Sequence, residues 1–577
     1  MKQRTQNRRI PSSAATRTVK PLTVALAAAL SLCGVAAEAV TWNTLNGQAP
    51  LVVGHRGASG YLPEHTLESY RLAIALGADV IEPDLVSTKD GVLIARHEPM
   101  LSGTTNVASI AKFADRKRTS VIDGVSYTDW FSVDFTLAEI KELRAIERVN
   151  DRNPRFNGAF EIVTLQDVID LAKKETIRTG RTISIYPETK HPTWHNLQGK
   201  PLDTNLVQAL NAAGWRGKTD PVFIQSFEIS NLKQIRALTG VRLVQLLSCY
   251  DNDLATGKCD YIPLDADSAP GDWIAANDRR TYADMITPAG LADIAKYADG
   301  IGPWKRQFIG IKALATGADG KPADFNGDGS IDEADGVSVV SNNLVANAHT
   351  AGLFVHPYTF RTDRVFARDY AGGGKGNSSA VNAEYRQMWS LGVDGLFSDF
   401  SDDAVKSRAM FAADQVEVVE YASGADVNVA TRFFRTATDA DIKVIAGVKT
   451  LTRTTNSFKA WSALQTGSIS TAPVCRYFDK TNGRHLFSVD AAQCAGYGTS
   501  GYVNEGTAFY AVRPATPPAG TASTTVPPAP CAAGTVAIYR LSRTVNGVTD
   551  ERLSAQDTIS GATPAYARQG VAFCGAQ

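Results

Sequence analysis

From residue 51 to about residue 400 the sequence alternates short β-branched or apolar runs with amphipathic stretches of helical period, and no other feature limits the possible folds so strongly. The runs 51–54, 80–85, 92–97, 183–187, 222–227, 242–247, 300–303, 353–358 and 395–398 read as strands. Helices are expected over 64–76, 165–174, 204–213, 229–238, 291–297, 343–351 and 380–391. Repeated strand–helix units imply a parallel sheet covered by helices. A doubly wound open sheet normally brings a Gly-rich dinucleotide turn, which is not found here, so the expectation is an α/β fold of the TIM (β/α)8 barrel type. Segments 101–158, 249–282 and 312–339 interrupt the alternation as loop insertions. Barrel sites open where strands hand over to loops, so these insertions should shape the pocket.

A chain of 577 residues is too long for one core. The expected division is a signal peptide over 1–39, the barrel over 40–412 and a smaller all-β repeat domain over 413–577. The leader carries Lys2, Arg4, Arg8, Arg9, Arg17 and Lys20, then an apolar stretch, then the small-x-small site Ala37-Glu38-Ala39. Its apolar part is short of the roughly 20 residues that span a bilayer, so no membrane span is expected. Cleavage near Ala39 would send the protein to the periplasm or outside the cell. The six cysteines left, Cys249, Cys259, Cys475, Cys494, Cys531 and Cys574, favour disulfides in an exported protein. Cys249 should pair with Cys259 across a short polar loop. Lys plus Arg (59) balance Asp plus Glu (59), which leaves no broad positive field for nucleic acid or an anionic membrane.

Beyond residue 411 three related stretches begin at Val419-Glu420-Tyr421, Cys475-Arg476-Tyr477 and Ala537-Ile538-Tyr539. Each closes on a small residue and a Phe: Ser457-Phe458, Ala508-Phe509, Ala572-Phe573. Their spacing, roughly 50 to 65 residues, falls in the range of repeat architectures. They suggest a small trefoil-like β domain, similar to a tandem module of exported bacterial proteins, with an unknown ligand or surface as partner. A Pro-, Thr- and Ala-rich link over 514–530 should be extended.

The chemistry gathers at predicted strand ends. His55 and Arg56 follow the first apolar run within Gly54-His55-Arg56-Gly57. Glu82 and Asp84 lie two apart on the next strand, so a period of two turns both to one face. Adjacent carboxylates repel unless one protonates or a divalent cation joins them. His97 ends the third run, and Glu188 ends the fourth with Lys190 beside it. A parallel barrel brings such ends to one rim. Three carboxylates, a divalent ion, Arg56 and Lys190 sum to about +1, an anion trap for a phosphodiester. All-oxygen ligands favour Ca²⁺, with Mg²⁺ as the alternative, over zinc. His55 and His97 have the pKa suited to acid and base work near neutrality.

His55-Arg56-Gly57 with Pro63-Glu64-His65-Thr66, Glu82-x-Asp84, Thr88-Lys89-Asp90-Gly91 and His97 resembles the signature of glycerophosphodiester phosphodiesterases, especially the periplasmic bacterial type. The later stretches Pro187-Glu188-Thr189-Lys190, Gln225-Ser226-Phe227 and 392–399 fit as well. The resemblance implies a TIM barrel with His55 and His97 as acid and base, Glu82, Asp84 and Glu188 on a divalent ion, and Arg56 and Lys190 near the phosphate. It implies cleavage of small glycerophosphodiesters to glycerol 3-phosphate and an alcohol, by way of a cyclic phosphate formed by the substrate's own hydroxyl, with direct attack by water as the alternative route. Two departures bear on substrate preference. Glu98 follows His97 where Asp is usual, and His356-Pro357-Tyr358-Thr359 replaces a segment that often carries Trp, though Tyr358 can still stack on a glycerol or head group.

A second calcium loop is expected at Asp324-x-Asn326-x-Asp328-Gly329-Ser330-Ile331-Asp332-x-x-Asp335, whose oxygen ligands Asp324, Asn326, Asp328, Ser330 and Asp335 have EF-hand spacing. Its role would be to stiffen an insertion. Rival readings are a barrel phospholipase of the lysophospholipase D or phosphoinositide-cleaving type, and a surface-binding module with a decayed barrel. Retention of both histidines and all three acids speaks against decay.

Overall fold

The computed structural model describes residues 42–363, 367–370, 378–423, 433–448, 450–465, 469–514, 531, 534–558 and 565–577. The expected signal peptide and nearly all of the Pro-rich link lie outside the described residues.

Eight parallel strand positions close on themselves. In chain order they are Leu51–His55, then Val80–Glu82 continued by Asp84–Ser87, then Ser184–Ile185 continued by Glu188–Thr189, then Phe223–Ser226, Arg242–Leu247, Gly300–Pro303, Phe354–Val355 and Gly395–Ser398. Each pairs with the next in parallel register. The last pairs with the first, Leu51 opposite Gly395, and donates backbone bonds to the seventh through Asp394 N to Val355 O and Phe397 N to Pro357 O. The second strand splits at Pro83, which has no N–H to give the ladder, while its carbonyl still accepts from Glu188 N. These strands are apolar almost throughout because helices cover their outer faces. Two of the helices start on side-chain caps, Leu67–Ala75 on Thr66 and Leu165–Thr179 on Thr164 with Asp167.

One expected strand is not part of the barrel. Leu93–Ala95 runs antiparallel to Asp84–Ser87, with Leu85 opposite Ala95. A turn through Thr88-Lys89-Asp90-Gly91 is too short for the crossover of a dozen or more residues that a parallel neighbour needs. His97 therefore follows a hairpin return and not a barrel strand, and removing this run leaves the eight barrel strands.

The insertions carry small hairpins. Arg118–Ile122 pairs with Val125–Asp129 in the first, and Asp251–Asp253 pairs with Lys258–Asp260 in the second, closed by a Cys249–Cys259 disulfide. In the third, Ile311–Ala313 and Gly336–Ser338 frame the acidic loop.

Helix Ser401–Ala412 packs on the first barrel strand and leads into the C-terminal domain, where nine strands among the described residues form one antiparallel, barrel-like sheet. Over 415–461 and 472–511 the order is strand, return strand, helix, strand, with helices Asp439–Ala446 and Ala491–Thr499 added to the expected β structure. Over 535–576 it is strand, return strand, strand among the described residues. Phe458, Phe509 and Phe573 meet in the core, their ring centroids 5.7, 5.7 and 5.5 Å apart. Two further disulfides, Cys475–Cys494 and Cys531–Cys574, lie within this domain.

Candidate active site

His55 is the last residue of the first strand. The chain then turns through Arg56 at φ +60° and Gly57 at φ +90°. A Cβ on Gly57 would lie 2.5 Å from Ser69 Oγ, so the turn admits only glycine there. The left-handed Arg56 directs its backbone N–H at Glu82 Oε2, 2.7 Å away. Its guanidinium donates to Glu64 Oε2 at 3.0 Å and lies 3.4 Å from Asp84 Oδ2.

Glu82, Asp84 and Glu188 are buried, and one oxygen from each falls within 4.8 Å of the others, as the strand period predicts. Gln225 Nε2 donates to Glu82 Oε1 at 3.2 Å, and Lys190 Nζ lies 2.8 Å from Glu188 Oε1. Asp84 Oδ2 accepts from His65 Nε2 at 2.9 Å, while Asp84 Oδ1 has no hydrogen-bond donor. Burial and the Asp84 charge hold Glu82 well above the usual carboxylate range, and burial raises Glu188 to about 8, with Lys190 opposing and Asp84 adding. Burial resists ionisation of Asp84 too, but His97, His65 and Lys190 outweigh it and keep that carboxyl well below its ordinary value. Three buried acids that cannot all ionise, one with an undonated oxygen, suit a divalent cation. Among the described residues no other group of three His, Cys, Asp or Glu side chains converges in this way.

Each histidine has a carboxylate behind it. His55 Nδ1 donates to Asp399 Oδ1 at 2.6 Å, and His97 Nδ1 donates to Glu98 Oε1 at 2.6 Å. Lys190 Nζ donates to His97 Nε2 at 3.2 Å. Burial first, then Arg56, lowers His55 to about 4 against the pull of Asp399. Burial, Arg56 and Lys190 lower His97 to about 3. Both rings are thus neutral near pH 7, with Nδ1 carrying the proton and Nε2 left for the site.

These groups share one cavity of about 320 Å³, lined by His55, Arg56, Glu82, His97, Glu188 and Lys190. Phe227, Trp304 and Tyr358 supply its aromatic wall. Tyr358 gives its hydroxyl proton to Leu247 O at 3.0 Å, so only its ring is offered to a ligand. The residues of the acidic loop, Asp324, Asn326, Asp328, Ser330 and Asp335, do not line the cavity, but Glu333 beside them does. Glu333 pairs there with Arg306 at 2.7 and 2.8 Å.

Sequence reasoning left Asp399, His65 and Glu333 without a role. Asp399 carried a signal, standing just beyond the last strand inside a quoted stretch. His65 likewise stands inside the motif Pro63-Glu64-His65-Thr66, whereas the part played by Glu333 depends on long-range packing that no local pattern shows.

Residues 55–403, more than half of the chain, match the glycerophosphoryl diester phosphodiesterase family. The chain belongs to that family. A glycerophosphodiester phosphodiesterase of Arabidopsis thaliana is 34% identical over 388 residues, 63% of this chain and 87% of the relative. One from Haemophilus influenzae is 32% identical over 409 residues, 67% of this chain and 98% of the relative. A phosphodiesterase of Oleispira antarctica, solved with the product sn-glycerol-3-phosphate, covers 63% of this chain and 98% of its own at 17% identity, with a TM-score of 0.38, too low to carry an argument. Residues 434–573 match a domain of unknown function, DUF5648. The enzyme is a glycerophosphodiester phosphodiesterase, with a TIM-type barrel and a second, antiparallel β domain. No helix among its described residues is long and apolar enough to cross a membrane.

Proposed function

We propose that the enzyme hydrolyses deacylated phospholipids to glycerol 3-phosphate and an alcohol, with His55 and His97 as acid and base and a calcium ion held by Glu82, Asp84 and Glu188. The observation that carries this is the pairing of each imidazole with a carboxylate at Nδ1, both rings lining the cavity that Glu82 and Glu188 also line, with Asp84 converging on those two acids. When bound, the cation supplies stabilisation of charge developing on a non-bridging phosphate oxygen. Arg56 and Lys190 orient the phosphate. Its negative charge offsets these two cations, which raises the imidazoles so that one can hold the proton due to the leaving alcohol. The other takes the nucleophile's proton at Nε2. Tyr358 and Phe227 present rings to the glycerol or head group.

Glycerophosphocholine and lysophosphatidylcholine, offered in parallel to purified protein, test the substrate class. Turnover of the first is expected, and a preference for the second would move the enzyme to the lysophospholipase D type. Excess chelator should abolish activity and calcium should restore it better than zinc. Unchanged rates in chelator would remove the cation from the reaction.

Three subsidiary readings belong here. Export through residues 1–39, with cleavage after Ala39, is supported by three disulfides, which persist in oxidising compartments, and N-terminal sequencing of the mature protein tests it. The C-terminal domain reads as three repeats, supported by its recurring strand order and the meeting of Phe458, Phe509 and Phe573. The loop 324–335 reads as a structural calcium site. In support, Asp324 accepts from Gly327 N and Gly329 N, Asp335 accepts from Phe325 N and Asn326 N, and Gly329 turns at φ +88°. Terbium luminescence lost in an Asp328→Ala variant would bear this reading out.

A further inference from the structure

Behind His97 a line of side chains continues past Glu98. Glu98 accepts from His97 Nδ1 through Oε1 at 2.6 Å and from His191 Nε2 through Oε2 at 3.3 Å. His191 Nδ1 in turn donates to Asp123 Oδ2 at 2.6 Å. Both ring nitrogens of His191 face carboxylate oxygens, so both carry protons. Burial opposes that charge, but the bonds to Asp123 and Glu98 raise His191 to about 10. The four side chains are 16 to 34% exposed, so solvent screens them only in part.

Two unusual backbone positions build this line. His191 stands at φ +45°, ψ +52° just before helix Pro192–Leu197, a left-handed conformation that a non-glycine residue adopts at a cost. Asp123 stands at φ +47°, followed by Gly124 at φ +85°, in the two-residue turn of hairpin Arg118–Ile122/Val125–Asp129. Trp194 ties the hairpin to the helix, its Nε1 donating to Ser120 Oγ at 3.0 Å. The first insertion thus reaches across to deliver one carboxylate to His191.

We infer that His191 and Asp123 are positioning residues for His97: Asp123 fixes His191, His191 fixes the far oxygen of Glu98, and Glu98 holds the His97 ring with Nε2 turned to the cavity. A glutamate here spans two imidazoles with its two oxygens. The inference rests on the reading of His97 as the acid or base.

The test compares His191→Ala, His191→Gln, Asp123→Asn and His97→Ala in the full-length enzyme with calcium present. Outer-shell partners of this kind typically carry about 10- to 100-fold effects. The expected result is a fall in kcat of at least about tenfold in His191→Ala with KM little changed. The His97 Nδ1 proton should shift in the NMR spectrum, the pH profile of kcat should move, and His191→Gln, which can still donate to Glu98, should recover part of the loss. Asp123→Asn, which preserves size, should move the same readouts in the same direction. Should His191→Ala fail to fold, the decision passes to Asp123→Asn. Unchanged kcat with an unmoved Nδ1 resonance in a folded variant overturns the inference, as does a rise in KM alone. Full activity in His97→Ala would instead sink the acid–base reading beneath it, so the two failures are distinguishable.

Discussion

At the scale of single residues, the site depends on which nitrogen of each imidazole holds its proton. Asp399 decides this for His55, and it is itself held by Arg152 at 2.5 Å and Arg361 at 3.2 Å. Asp399→Asn keeps the shape and removes the tautomer control, so kcat should fall by about 10²- to 10⁴-fold with the circular dichroism spectrum unchanged. A variant of near wild-type kcat would show that His55 needs no orientation. A different histidine illustrates stability. His195 is fully buried, accepts from Ser87 N at Nε2, and is lowered by burial to about 3. Unfolded, it titrates near 6.5, so its stabilisation is complete above that pH and fades as pH falls toward 3. Against wild type, His195→Gln should lose stability at pH 7.5, and the gap should narrow by about 1.4 kcal/mol per pH unit between about pH 6 and pH 4. Urea midpoints across that range check it, and a constant gap would contradict it.

At the scale of elements, the cation site is a product of neighbouring strand ends. Val80–Glu82 and Asp84–Ser87 present two carboxylates across Pro83, and the next strand brings Glu188 opposite Asp84. Glu82→Gln replaces one of three buried acids that cannot all ionise with a neutral amide, so in chelator the melting temperature should hold or rise while the shift produced by calcium shrinks or vanishes. Thermal scans with and without calcium read both, and a full calcium shift in the variant would take Glu82 out of the site. This convergence was legible in the sequence because strand period and parallel topology are local rules with long-range results. The return strand 93–95 was not. Its apolar composition matches a barrel strand, and only the brevity of the preceding turn distinguishes the two. The pairing of each imidazole, with Asp399 at 344 residues' remove and with Glu98 at one, was not legible even though Asp399 stands at a strand end, since hydrogen-bond direction leaves no trace in spacing.

At the scale of the whole molecule, barrel and C-terminal sheet each have their own apolar core. Between them, Arg368 Nε donates to Ala446 O at 2.8 Å and helix Ser401–Ala412 touches strand Gln415–Ser423. Because none of the described residues lining the catalytic cavity lies beyond Phe397, deleting everything after Ala413 should leave kcat within about twofold and lower the melting temperature by several degrees. A collapse of kcat would give the second domain a part in forming the site. A second, sheet-rich region was readable from the change of character beyond residue 411, whereas helices Asp439–Ala446 and Ala491–Thr499 were hidden by its strand-rich composition. The cross-links add a consequence of their own. Cys249–Cys259 lies in the barrel, and Cys475–Cys494 and Cys531–Cys574 lie in the sheet domain, so no sulfur bridge joins the two. One nick by a protease near Asp414 would leave two internally stapled pieces with no covalent bond between them.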